Sequence, residues 1–180
     1  MKTCIALLRG INVGGKNALP MPALVRLLEA LGAKDVRTFI QSGNAVFGMP
    51  GADAAGMAAR MAQRIRQDFG FEPVVLVMPR QGLAAAMAHN PFVQAQASPS
   101  TLHLGFMPQA PTHPDMAGLQ ALRSGDEAFY LIDAVFYLHT PDGFGRSRLA
   151  ARAEKLLGVD VTYRNWRTVS ATMDLAAQYK

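Results

Sequence analysis

The chain has 180 residues, half of them apolar, with 18 lysines and arginines against 13 acidic residues, a formal net charge of +5 and a pI near 9.7. That length and composition suit one domain or two small ones around a proper core and exclude a disordered segment. No apolar run approaches the roughly 18 residues of a membrane span, and the opening run of about five, between Lys2 and Arg9, is too short for a secretory leader.

The pattern predicts a first strand over 3–9, carrying the single cysteine, Cys4. With no disulfide partner in the chain, Cys4 reads as a small core residue and suits a reducing cytoplasm. The strand runs into Arg9-Gly10-Ile11-Asn12-Val13-Gly14-Gly15-Lys16-Asn17. Such a loop offers an anion exposed backbone N–H groups at Gly14 and Gly15 and two cations, Arg9 and Lys16, as phosphate-binding turns do. The same glycines, with Asn12 and Asn17, equally suit a purely structural left-handed turn. The run is one residue from the nucleotide-binding pattern GxxxxGK followed by Ser or Thr. Asn17 replaces the hydroxyl that would hold Mg²⁺, and Pro20 and Pro22 delay the helix, so that reading is disfavoured.

A helix follows over 21–31 with Leu24, Leu27, Leu28 and Leu31 on one face, stopped by Gly32. Strands over 35–41 and 44–48 turn at Ser42-Gly43-Asn44. A helix opens at Asp53 as N-cap, buries Met57, Met61, Ile65 and Phe69, and ends at Gly70. A continuously apolar strand covers 73–78, and an Ala-rich helix 81–88. The second half repeats the order: strand 101–107, helix 114–122, hairpin strands 127–132 and 134–139, helix 146–157, strand 159–163, and a final helix from Trp166 to Tyr179.

The fold class is therefore α+β: two tandem ferredoxin-like βαββαβ units, 1–89 and 90–180, packed as one compact protein with an added C-terminal helix. In such a sheet the loop after the first strand emerges beside the hairpin joining the second and third. Arg9 to Asn17 should thus neighbour Gln41, Ser42 and Asn44. In the second unit Pro141 to Arg146 and Arg164-Asn165-Trp166 should share one edge.

Between Gly143 and Thr168 stand Arg146, Arg148, Arg152, Lys155, Arg164 and Arg167 against only Glu154 and Asp160. Arg148, Arg152 and Lys155 fall at i, i+4 and i+7, one basic stripe opposite the apolar Leu149, Ala153, Leu156 and Leu157. Such a stripe follows phosphates or simply keeps a helix face solvated. Asn165 reads as the N-cap of the last helix, and Trp166 as a core anchor rather than a stacking platform. No reaction is named: the four histidines, His89, His103, His113 and His139, lack ligand spacing, one cysteine makes no zinc pattern, and no cofactor is implied. Sheet-face RNA binding is disfavoured because the first and third strands of the first unit are poor in aromatics, and in the second unit Phe136 and Tyr137 on the third strand face only Leu102-His103-Leu104-Gly105-Phe106 on the first.

Four blocks in order resemble a known family: Arg9 to Asn17; Val36-Arg37-Thr38 with Gln41-Ser42-Gly43-Asn44; Pro141-Asp142-Gly143 with Gly145-Arg146-Ser147; and Arg164-Asn165-Trp166. The chain resembles the bacterial family called domain of unknown function 1697, from Cys4 to about Leu175. The resemblance implies a compact cytoplasmic α/β protein and no assigned chemistry. The family usually has Asn where Arg167 stands and often Lys where Arg148 stands, so this chain carries more permanent positive charge.

The expected function is binding of an anionic partner, a nucleic acid or a phosphorylated ligand, with no membrane role. The expected site comprises Arg9, Asn12, Gly14, Gly15, Lys16, Asn17, Gln41, Ser42, Asn44, Arg146, Arg148, Arg164 and Asn165, and no metal. Two alternatives stand beside it: an enzyme acting on a small phosphorylated metabolite in a cleft between the units, and a protein-interaction module whose polar loops only hold turns.

Overall fold

The computed structural model describes residues 1–51 and 53–179. The chain divides into two units, Met1–Ala85 with Ser170–Lys180, and Ala86–Val169. In the first, β1 (Lys2–Arg9), α1 (Met21–Ala30), β2 (Lys34–Phe39), β3 (Asn44–Met49), α2 (Ala54–Phe69) and β4 (Val74–Pro79) follow in order, and α3 (Arg80–Ala88) comes next. The strands form an antiparallel sheet in the order β2-β3-β1-β4, the ferredoxin-like arrangement.

Alternation along β1 places Cys4, Ala6 and Leu8 on one face, where they meet Leu24 and Leu28 of α1 and Met57, Met61 and Ile65 of α2. Burial pushes the Cys4 thiol up, as expected of an inert core residue, with Lys2 a smaller opposing influence. Asp53 caps α2 by accepting from the Gly56 N–H at 2.8 Å, and Gly70 ends it in the left-handed conformation. Phe69, expected on the buried face, stands 36% exposed because it is the last helical residue before that turn. The C-terminal residues belong to this unit too. Tyr179 donates to the carbonyls of Asp35 and Val46, and Arg37 lies over its ring and donates to Gln178.

The second unit holds β5 (Leu102–Phe106), α4 (Met116–Leu122), β6 (Ala128–Ile132), β7 (Val135–His139), α5 (Arg148–Leu157) and β8 (Thr162–Asn165), after which α6 (Trp166–Ala177) begins. Its antiparallel sheet has the equivalent order, β6-β7-β5-β8. Phe136, Leu138, Leu149, Ala153, Leu157 and Leu119 form the core under α4 and α5. The last strand starts later than predicted. A Glu154 carboxylate oxygen accepts the Val161 N–H at 2.9 Å and holds the preceding residues as a loop against α5. Asn165 then ends β8 and caps α6 at once, its Oδ1 accepting the Thr168 N–H at 2.9 Å, so strand and helix join without a linker. Trp166 is half-buried. Both sheets being antiparallel, neither supplies the parallel βαβ setting of a nucleotide-binding P-loop.

Candidate functional site

The first expected cluster assembles. β1 and β2 run the same way on either side of β3, so their C-terminal ends share an edge. There Val13 and Lys16 pair across a two-residue turn, the Lys16 N–H donating to the Val13 carbonyl at 3.0 Å. Gly14 and Gly15 both take positive φ, 58° and 74°, which is the tight hairpin geometry that glycine permits.

Asn12 anchors this miniature hairpin with its whole side-chain amide. Its Oδ1 accepts the Leu19 N–H at 2.7 Å, while Nδ2 donates to the carbonyls of Leu19 and Gln41, each at 2.9 Å. Asn17 donates to the Gly10 carbonyl at 2.7 Å. Asn44, fully buried, donates to the Phe39 carbonyl and the Ser42 hydroxyl, both at 3.0 Å. The three asparagines therefore spend amide hydrogens on holding turns. What faces outward is a smaller set: the Gly14–Gly15 tip, Lys16, the Gln41 side chain and the exposed apolar Val13 and Ile40. Arg9, at the end of β1, is half-buried and engaged. Ile40 is an unusual member, a β-branched residue at φ 50°.

In the second unit β7 and β8 likewise end at one edge, because His139 pairs with Leu102 and Asn165 with His103. Phe144, from the loop between them, stacks on His103 with ring centroids 4.2 Å apart and meets Tyr163 edge-on at 5.0 Å. This ring packing orders the loop that carries Arg146. Ser147 then caps α5, accepting the Ala150 N–H at 3.0 Å. Arg164 is placed differently from the other cations. It sits in β8, donating to the Tyr163 carbonyl at 2.9 Å, and burial lowers its pKa to about 10. Asn165 is taken up by its cap. Arg146 and Arg148 are exposed, as are Arg152, Lys155 and Arg167.

Sequence reasoning passed over His103, which alternation along β5 places beneath Phe144. It is 9% exposed, its Nδ1 makes no hydrogen bond among the described residues, and burial lowers its pKa to about 4, against a weaker upward pull from the Thr101 backbone. The unfolded imidazole titrates near 6.5. Between these values the unfolded chain binds more protons than the folded one, so stability is full above about pH 6.5 and falls as pH drops towards 4. The expected loss from this residue between pH 7 and pH 5 is about 2 kcal/mol. Denaturant titrations at the two pH values check it: His103→Phe, which keeps the stacking partner, should show a correspondingly smaller loss, and an equal loss would refute the assignment.

Among the described residues, no group of three or more His, Cys, Asp or Glu side chains is placed to hold a metal ion, and no helix is long and apolar enough to cross a membrane.

Against this geometry, the family model described as protein of unknown function (DUF1697) matches residues 1–137. The chain belongs to the DUF1697 family. The match takes in the Gly-rich loop and the β2–β3 turn, while the Pro141 and Arg164 blocks lie beyond it. The solved structure of conserved bacterial protein SP0830 from Streptococcus pneumoniae is 20% identical, with a TM-score of 0.72 over 97% of this chain and 98% of that one. Likeness at that identity shows the fold alone. No curated protein matches the chain.

Proposed function

We propose that this DUF1697 protein binds a nucleic-acid backbone along α5, in a reducing cytoplasm to which the lone buried Cys4 is suited. The observation that carries the reading is a contrast between two helices. On α2 every arginine is neutralised: Arg60 by Asp53 at 3.3 Å, Arg64 by Asp68 at 2.8 Å and Arg66 by Glu72 at 3.1 Å. On α5, Arg148, Arg152 and Lys155 are exposed and make no ion pair among the described residues, and Arg146 stands just before them in the same state.

Successive stripe cations lie about 6 and 4.5 Å apart along the helix axis, against about 3.4 Å per nucleotide along one strand. The stripe thus spans about three nucleotides and supplies about three phosphate contacts. In the first unit the Gly14–Gly15 tip with Lys16 offers a second, smaller place for a phosphate group.

The test is fluorescence anisotropy with labelled single-stranded oligonucleotides across about 20 to 200 mM salt. Three phosphate contacts give a log–log salt slope of about −2, and Arg148→Ala, Arg152→Ala and Lys155→Ala should each reduce its magnitude by about 0.7. Binding that is independent of salt, or unchanged in the triple variant, would sink the proposal. Saturable binding of inorganic phosphate lost in Lys16→Ala, with no oligonucleotide affinity, would move the function to the loop.

A further inference from the structure

Strand edges present unpaired backbone groups, and proteins usually blunt them with charges, proline, bulges or short length. Among the described residues, three of the four sheet edges are blunted. β2 carries Lys34, Asp35 and Arg37 and a register shift between Lys34 and Arg37; β4 ends in Pro79; β8 has four residues and includes Arg164. The fourth, β6, reads Ala-Phe-Tyr-Leu-Ile and pairs with β7 in unbroken register over all five residues.

The hairpin geometry says which groups are left over. Asp133 and Ala134 form a two-residue turn, so Ile132 and Val135 close it as a hydrogen-bonded pair, and every second pair behind them is bonded likewise. The backbone groups of Ile132, Tyr130 and Ala128 therefore point to β7, and those of Phe129 and Leu131 point away from the sheet, with no partner among the described residues. Their side chains stay packed on the core. Beside this edge the sheet displays apolar surface. Tyr130 is 54% exposed with its ring 5.5 Å from Phe92, Val93 is 66% exposed, and a cavity of about 380 Å³ opens between Phe92, Val93 and His139.

We propose that β6 is a docking edge that accepts an extended segment of another protein as an added strand, with apolar residues at alternate positions and a lysine or arginine at each end. Charge complementarity selects this occupant. On a chain of net charge +5, the exposed Asp126 and Asp133 flank the strand. A second copy of the chain fits worse: antiparallel self-pairing centred on Tyr130 would bring the exposed Asp126 end of each copy against the exposed Asp133 end of the other, and like charges so placed destabilise a pair. The added strand would exchange main-chain hydrogen bonds with Phe129 and Leu131 and lay an apolar side chain beside Tyr130, towards the Phe92 cavity.

The test uses the full chain and a labelled peptide, Lys-Val-Thr-Val-Thr-Val-Lys. The expected result is saturable binding, with hydrogen exchange at the amides of Phe129 and Leu131 slowed roughly tenfold while that of Tyr130, already bonded to β7, is unchanged. The same peptide with glutamate at both ends should bind about tenfold more weakly. Tyr130→Lys, at an exposed position that leaves the core intact, should abolish binding without shifting thermal unfolding. No saturable binding, protection confined to other amides, or equal affinity for the glutamate peptide would overturn the proposal. So would a concentration-dependent dimer that Tyr130→Lys disperses.

Discussion

Replacing Asn12 with alanine is expected to destabilise the protein by about 3 to 4 kcal/mol, although the residue lies in a surface loop. The side chain makes three hydrogen bonds, two to Leu19 and one to Gln41, each contributing about 1 kcal/mol. Alanine must also adopt φ 54°, which costs roughly another 1 kcal/mol. Thermal unfolding should fall by about 10 °C at the 2–4 °C per kcal/mol typical of this chain length. Asn12→Gly loses the same bonds without the strain and should recover about 1 kcal/mol of the deficit. An Asn12→Ala protein within about 1 kcal/mol of the original would mean that these bonds do not hold the loop.

A comparable loss, about 3 to 4 kcal/mol, is expected for Gly43→Ala, by crowding. A Cβ at Gly43 would stand 2.8 Å from Leu8 Cβ and 2.9 Å from Ile11 Cδ1, both buried residues, at φ 82°. Leu8 Cβ is fixed to a central strand and cannot swing aside, so β1 or the turn must move. Gly14→Ala is the control, since φ is 58° there but nothing lies within 4 Å of the added carbon, and it should cost only about 1 kcal/mol. Chemical denaturation of both variants checks the pair, and equal losses would show that strain alone explains Gly43.

The sequence was most legible where one residue acts on its near neighbours. Asp53 and Asn165 cap helices through bonds three residues long, and Gly70 ends one, so element order and most boundaries followed from local chemistry. β8 was misplaced because its start depends on Glu154 reaching Val161 across a loop. The same limit governed the candidate site. That the Gly-rich loop and the β2–β3 turn lie together follows from topology, but the inward turn of Asn12 depends on Leu19 and on Gln41, 29 residues away. Composition cannot distinguish an asparagine that lines a site from one that pins a turn. Nor could it separate paired from unpaired cations on α2 and α5, because partners such as Glu72 lie outside the helix they neutralise.

The division of the chain carries a consequence for its biosynthesis. The first unit owns both the opening 85 residues and the stretch from Ser170 onward, and Tyr179 clasps the carbonyls of Asp35 and Val46. A ribosome adding about 5–20 residues per second makes everything between Ala85 and Ser170 before that clasp exists. For on the order of ten seconds the nascent first unit lacks its last segment, while the second unit can complete its own sheet. Of the two units, the one begun earlier is therefore the one finished later, and its exposure to chaperones and proteases during synthesis is the longer.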